Sequence, residues 1–222
     1  MKITLQEDLN TILSRKSQFD NMYLNELTDF IITTQDRGKL NSFVRVMFYL
    51  DSLEEYYETF LDYSNIFHEN ADNFFQVYNI FKEWKPYCSN LSNIRGIFLE
   101  LLSHKFLEKI YSDEKIYLES KIILDDYETY YLDFVINQNF IYECFECKFS
   151  SHSIKKRQID SLLGLKNKSN IFSLNLVFFE TMNDVIFTIN NSNLSYMVNE
   201  KHKNKFNYIT LESFSKENPF NA

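Results

Sequence analysis

Leu132-Asp133-Phe134-Val135-Ile136-Asn137-Gln138-Asn139-Phe140-Ile141-Tyr142-Glu143-Cys144-Phe145-Glu146-Cys147-Lys148 is the stretch that decides the fold. Two largely apolar runs flank Asn137-Gln138-Asn139, a cluster of turn formers, and this pattern predicts an antiparallel hairpin. A turn at Gln138-Asn139 pairs Asn137 with Phe140 and sets Asp133 opposite Cys144, with Glu146 one diagonal step further on. Side chains alternate along a strand, so Tyr142, Cys144, Glu146 and Lys148 share a face, and Asp133 joins them across the ladder. Carboxylates on such a diagonal, about 7–8 Å apart, can both reach one cation, with Lys148 beside them. Charges set among apolar neighbours are costly to bury unless they are paired or hold a metal.

Working outward, strand-like segments at Ile116–Leu124 and Glu128–Ile136 precede Phe140–Phe149, with Asp125-Asp126 as the first turn. A polar helix at Ile154–Leu165, an apolar strand at Ile171–Phe179 and a last strand at Phe206–Leu211 follow. Before them, Ser92–Tyr111 reads as an amphipathic helix with Ile94, Ile97, Phe98, Leu101, Leu102 and Phe106 on its apolar side. Helix, three-stranded meander, helix, strand is an α/β order with a mixed sheet. The first ninety residues read as helix throughout: Leu5, Leu9, Ile12 and Leu13 recur at helical spacing, as do Leu24, Leu27, Phe30 and Ile31. Gly38 breaks the pattern, a third helix starts near Leu40, and Pro86 ends the last run. The expected division is a helical region over 1–91 and an α/β domain over 92–222.

Hydrolysis of a phosphodiester needs charge neutralised on the phosphoryl oxygens and a water made nucleophilic. A hard cation such as Mg²⁺ does both, with carboxylates as its natural ligands. A neighbouring lysine orients the water or stabilises the developing charge. Leu132-Asp133, twelve residues, then Glu146-Cys147-Lys148 resembles the motif of the PD-(D/E)XK nuclease superfamily, with leucine where the family has proline. That resemblance covers about residues 92–212. It implies the restriction-endonuclease-like fold, a mixed sheet flanked by helices. It further implies that Asp133, Glu146 and Lys148 are catalytic and that Glu100, in the preceding helix, joins Asp133 and Glu146 at the metal. Gln158 matches a polar residue near the active site of several branches. Leu162 stands where the exonuclease-like branch has tyrosine, which argues against an end-directed enzyme.

The expected activity is therefore a Mg²⁺-dependent endonuclease, with Mn²⁺ as a substitute ion. DNA is favoured over RNA, and a bacterial defence or restriction system is the expected setting. The alternatives are an RNA-directed endonuclease and a non-catalytic assembly subunit that keeps the fold, its acids serving as salt bridges.

Charge distribution bears on the partner. The chain has 222 residues and a formal net charge of −8. Residues 1–92 hold 8 Lys+Arg against 14 Asp+Glu, a net of −6, and residues 93–222 hold 15 against 17, a net of −2. Lys155, Lys156 and Arg157 form a basic run suited to backbone phosphates, with a second cluster at Lys201, Lys203 and Lys205. The aromatic helical region, in a chain with 22 Phe and 15 Tyr, is expected to bind a protein partner or a second copy. No apolar run is long enough for a membrane span or placed as a signal peptide, so the expected location is the cytoplasm.

Competing signals are weaker. Cys144-Phe145-Glu146-Cys147 has zinc-like spacing, but on a strand the two sulfurs point to opposite faces, and Cys88 is the only other cysteine. His68, His104, His152 and His202 are scattered, and none has the arginine spacing of the all-helical RNases. The glycines, Gly38, Gly96 and Gly164, make no phosphate loop.

Overall fold

The computed structural model describes residues 2–88, 91–199, 202 and 204–220. The chain runs β1 (Thr4–Glu7), α1 (Leu9–Phe19), α2 (Met22–Thr33), α3 (Arg37–Met47), α4 (Leu53–Ile66), α5 (Ala71–Trp84) and α6 (Leu91–Ile110). Then come β2 (Ile116–Leu124), β3 (Tyr127–Glu128), β4 (Leu132–Gln138), β5 (Ile141–Lys148), α7 (Lys156–Lys168), β6 (Phe172–Phe178), α8 (Met182–Asn190) and β7 (Asn207–Ile209). The architecture is α/β: a mixed, open seven-stranded sheet in the order β1-β2-β4-β5-β6-β7, with β3 extending the edge of β2. The pairs β1–β2, β2–β4 and β4–β5 are antiparallel, and β5–β6 and β6–β7 are parallel. Helices cover both faces. One core joins residues of α1–α6 to Leu118, Phe134, Phe145, Cys147 and Val177, and the other joins α7 and α8 to Ile122, Val135, Cys144, Leu174 and Leu176.

The hairpin forms where expected but turns one residue later, which moves every partner along by two. Gln138 pairs with Ile141 and Val135 with Cys144. The turn is Asn139-Phe140, with φ of 52° and 66°, the left-handed pair that suits the twist of a two-residue hairpin. A shift of two preserves the face of every side chain, so Asp133 and Glu146 still converge. That register, continued one step past the Phe134–Phe145 pair where the ladder stops, sets the two across from each other.

Three other expectations fail. Residues 4–7 form an edge strand on β2 rather than the first turn of a helix. Asp8 starts α1 instead, its carboxylate accepting from the amides of Asn10 and Thr11 at 3.1 and 3.2 Å, which satisfies two otherwise unpaired donors. Gly38 lies inside α3. The central part of α6 is not two-faced: Phe98 to Ser103 are all buried, because α6 lies between β5 and helices α1 and α2. Phe98 packs at a tilt against Phe48, ring centres 4.8 Å apart, and edge-on against Phe179 at 5.1 Å, so the helices before residue 92 and the sheet after it share one core. Helix α8 is an addition to the expected order; Thr181 caps it by accepting from the Asp184 amide.

The alternation of β2 changes phase at Glu119. Leu118 faces the core beneath α6, yet Ile122 and Leu124, of the same parity, face α7. Glu119 has φ of 41°, a left-handed conformation that costs a non-glycine residue about 1–2 kcal/mol. The reversal leaves Leu118, Glu119 and Ser120 buried in succession. On the far face, α7 approaches closely because Gly164 has no side chain: a Cβ there would lie 2.1 Å from the Tyr127 hydroxyl, which donates to the Ser161 carbonyl.

Candidate active site

Glu146 is 2% exposed and accepts from both the Gln158 side-chain amide and the Lys148 ammonium. The Gln158 carbonyl oxygen in turn accepts from the Lys155 amide at 3.0 Å, so the first turn of α7 is tied to the end of β5. Past the last β4–β5 pair, Asp133 Oδ2 accepts from the Cys147 amide at 2.6 Å. Lys148 Nζ lies 3.7 Å from Asp133 Oδ2 and donates to the Cys147 carbonyl at 2.9 Å. The loop that follows is anchored by buried Glu180, which accepts from Ser150 Oγ and from the amide and hydroxyl of Ser151.

On the other side of Asp133 lie Glu100 of α6 and Glu119 of β2. One carboxylate oxygen from each of Glu100, Glu119 and Asp133 lies within 4.8 Å of the other two. Arg15 of α1 reaches into this group, its Nε 2.8 Å from Glu100 Oε2 and its Nη2 3.0 Å from Glu119 Oε1. Asp133 therefore stands between two ion-paired sets, Arg15 with Glu100 and Glu119, and Lys148 with Glu146.

Burial sets the protonation chemistry here. It raises the Glu146 pKa to about 8, with the Asp133 charge adding to the effect and Lys148 opposing it. Burial, reinforced by Asp133, holds Glu100 well above the ordinary carboxylate range and raises Glu119 as well. For Lys148, burial disfavours the ammonium, but Asp133 and Glu146 outweigh it and the pKa moves up. Lys148 is thus a charged donor in the free protein. Each shift follows from desolvation set against neighbouring charge.

The donor set fits a hard divalent cation. Four carboxylates face two organic cations, so full ionisation leaves two negative charges uncompensated, and oxygen donors are what Mg²⁺ and Mn²⁺ prefer.

The expected residues are distributed as follows. Glu100 and Asp133 come together, with Glu119 as the third member of their group, while Glu146 sits beyond Asp133 with Lys148 and Gln158. Lys155, Lys156 and Arg157 are exposed at the start of α7. Lys156 Nζ lies 5.8 Å from the centre of the Tyr196 ring and Arg157 Cζ 5.2 Å from that of Tyr130. Lys201 and Lys203 lie outside the described residues; Lys205 donates to Asn167. Cys144 and Cys147 enter opposite cores, and burial raises both thiol pKa values.

Sequence reasoning missed Glu119 and Arg15. Glu119 carried a usable signal, an acid inside an apolar strand, the same one that marks Asp133. Arg15 carried none, being one basic residue on a helix far from the motif.

Among the described residues no helix is long and apolar enough to cross a membrane. No protein-family model and no curated protein matches the chain. Among solved structures, the crystal structure of protein VC1899 from Vibrio cholerae is similar at 12% identity and a TM-score of 0.45. The match covers 96% of this chain and 56% of that one, so the chain spans a little over half the length of VC1899.

Proposed function

We propose that the chain is a metal-dependent nuclease of the restriction-endonuclease-like type, with its active site at Asp133, Glu146 and Lys148. The observation that carries the reading is the splayed end of the β4–β5 hairpin. There Asp133 faces Glu146 across the strands, Lys148 lies within 3.7 Å of Asp133, and Gln158 is bonded to Glu146. Asp133 and Glu146 would hold the ion, with Glu100 and Glu119 flanking Asp133. A bound Mg²⁺ supplies charge neutralisation on a phosphoryl oxygen and a more acidic water. Lys148, held as an ammonium, orients that water or stabilises charge on the scissile phosphate. Gln158 fixes the Glu146 carboxylate, and Lys155, Lys156 and Arg157 meet backbone phosphates at the start of α7. By resemblance, DNA is the favoured substrate and a defence or restriction system the setting.

The decisive assay incubates the protein with plasmid, linear and single-stranded DNA and with RNA, in Mg²⁺ or Mn²⁺. Ion-dependent cleavage that Asp133→Asn abolishes is the expected result. Absence of cleavage, with no rise in melting temperature on adding either ion, overturns the reading.

One observation favours the rival reading, a non-catalytic assembly subunit. Tyr57, Phe75 and Leu61 are exposed on α4 and α5, and Phe60 and Tyr78 stack between them at 5.2 Å. Residues 51–84, which contain these helices, hold eight acids and one lysine, a net of −7. Such a face suits a basic protein and repels nucleic acid. A protein partner on this face is compatible with catalysis, and ion binding with ion-dependent cleavage is what separates the nuclease from the non-catalytic subunit.

A further inference from the structure

We propose that Tyr130 and Tyr131, with Lys121 and Arg157, form a stacking cleft for unpaired nucleobases beside the active site, so that the substrate is single-stranded nucleic acid. This deepens the nuclease reading and rests on it.

The cleft arises where strand pairing lapses. Between β3 and β4, Thr129 donates its amide to the Ile122 carbonyl at 3.0 Å, and its hydroxyl accepts from the Ile122 amide at 2.9 Å. A side chain thus replaces one main-chain rung. Residues 129–131 on this strand oppose residues 121 and 122 on β2, between the pairs Glu128–Ile123 and Leu132–Ser120. One extra residue on one strand is a bulge, and bulges re-aim side chains next to functional sites. The bulge presents Tyr130 and Tyr131, 50% and 39% exposed, immediately before Leu132-Asp133.

Those tyrosines line an open cavity of about 360 Å³ with Lys121, Glu128 and Thr129, the lower end of the range of small-ligand sites. Each ring has a cation beside it: Lys121 Nζ lies 5.6 Å from the centre of Tyr131, and Arg157 Cζ 5.2 Å from that of Tyr130. Lys121 also pairs with Glu128 at 3.0 Å, which leaves Arg157 as the stronger attraction for a phosphate. The cleft is built on a fixed support, since the Tyr130 amide donates to Ser161 Oγ of α7 at 3.1 Å. The same helix carries Gln158 to Glu146, so cleft and site are held by one element.

Aromatic faces interleaved with cations are how proteins grip single strands, because every base has a π-face and stacking tolerates any sequence. Bases inside a duplex are already stacked and cannot enter such a cleft without being extruded.

The test measures fluorescence anisotropy of a labelled 20-nucleotide DNA strand and of the corresponding duplex, with full-length Lys148→Ala protein in Mg²⁺. The single strand should bind more tightly. Tyr130→Ala and Tyr131→Ala should each weaken it by about fivefold or more, the low end of one missing base stack, and change duplex binding little. Tyr130→Phe and Tyr131→Phe should bind like the parent, because the ring and not the hydroxyl is what stacks; these variants also guard against a folding defect. Equal losses on strand and duplex, no loss on either, or phenylalanine variants as weak as the alanine ones would overturn the cleft while leaving the nuclease reading intact. If neither oligonucleotide binds the parent, the nuclease reading falls and the cleft with it.

Discussion

Arg15 Nε lies 2.8 Å from Glu100 Oε2, and the Nη2 of the same guanidinium lies 3.0 Å from Glu119 Oε1. Helix α1, far from the hairpin in sequence, is thereby fastened to the acidic group at its centre. A planar fork held by two carboxylates, and by Gln18 through Nη1, is a fixed charge. The ammonium of Lys148 sits instead on a flexible stem. Removing Arg15 leaves two buried acids without their partner. Arg15→Ala should therefore cost about 3 kcal/mol in metal-free protein, the low end for breaking a buried pair. A divalent ion should restore part of that loss, so the rise in melting temperature on adding Mn²⁺ should be larger for Arg15→Ala than for the parent. An equal or smaller rise would mean that the ion does not contact the Glu100–Glu119 side.

Lys148→Ala should abolish cleavage without abolishing ion binding. The ammonium occupies the space between Asp133 and Glu146, so its loss removes both a catalytic donor and a competing cation. Metal-free protein should melt lower than the parent, and calorimetric titration with Mn²⁺ should show affinity equal to or greater than the parental value. Cleavage at the parental rate would remove Lys148 from the mechanism. Asp133→Asn should lose cleavage and ion-induced stabilisation together, and unchanged Mn²⁺ affinity in that variant would place the ion elsewhere.

The order of the second half was legible because its periodicities are strong: β2, β5, α7 and β6 lie within two or three residues of their expected places. The hairpin register was not, because Asn137-Gln138-Asn139 offers several turn positions and only a shift of two keeps both faces correct. Glu119 is an acid inside an apolar strand, but its own left-handed conformation reverses the alternation of β2, so strand parity alone did not bring it to Asp133. The N-terminal strand failed for a related reason. Leu5 fits the helical spacing of Leu9 and Ile12, yet the Asp8 carboxylate sets the start of the helix, and the edge of β2 takes residues 4–7. What places Arg15 at the site is the shared core of both halves, which no motif records.

The hairpin turn permits a test of strain independent of function. Phe140 has φ of 66° and is 87% exposed, so a bulky side chain holds a left-handed conformation with little packing in return. Phe140→Gly should stabilise the protein by up to about 1 kcal/mol, since glycine adopts that conformation freely, though it loses more chain entropy on folding. In a chain of this size the melting temperature should rise by about 2–4 °C. A lower melting temperature would show that the Phe140 ring packs against neighbours of its own.

Ion binding should depend on pH in a direction set by Glu146. Its pKa in the folded protein, about 8, lies above the ordinary 4.5, so the folded state holds a proton that the unfolded chain has released between those values. That contribution to stability is complete below about pH 4.5 and is lost as pH rises towards 8. Metal-free protein should therefore weaken across this window. A divalent ion must displace the same proton, so Mg²⁺-induced stabilisation should grow from pH 6 to pH 8 and then level off. Thermal melts at fixed Mg²⁺ across that series decide it, and stabilisation that is constant or falls with pH would detach Glu146 from the ion.

The basic run at the start of α7 should set affinity through phosphates and not through bases. Lys155, Lys156 and Arg157 are exposed, and Gln158, the next residue, is bonded to Glu146, so a strand crossing the site passes this turn of helix. Neutralising all three should weaken binding to every sequence alike. It should also flatten the dependence of log affinity on log salt, by about 0.7 for each phosphate no longer neutralised on a single strand and about 0.9 on a duplex. Turnover on saturating substrate should fall far less than for Lys148→Ala, because Asp133, Glu146 and Lys148 remain in place. The measurement is binding of Lys148→Ala protein to two strands of unrelated sequence across a salt series, with and without the triple change. An unaltered slope would move the phosphate path elsewhere, with the Lys201–Lys205 cluster as the next candidate. A loss confined to one sequence would make these side chains base readers. Arg157 separates the two roles assigned to this turn: it lies over Tyr130, so Arg157→Ala alone should lower both the salt slope and the preference for single strands, whereas Lys155→Ala should lower the slope only.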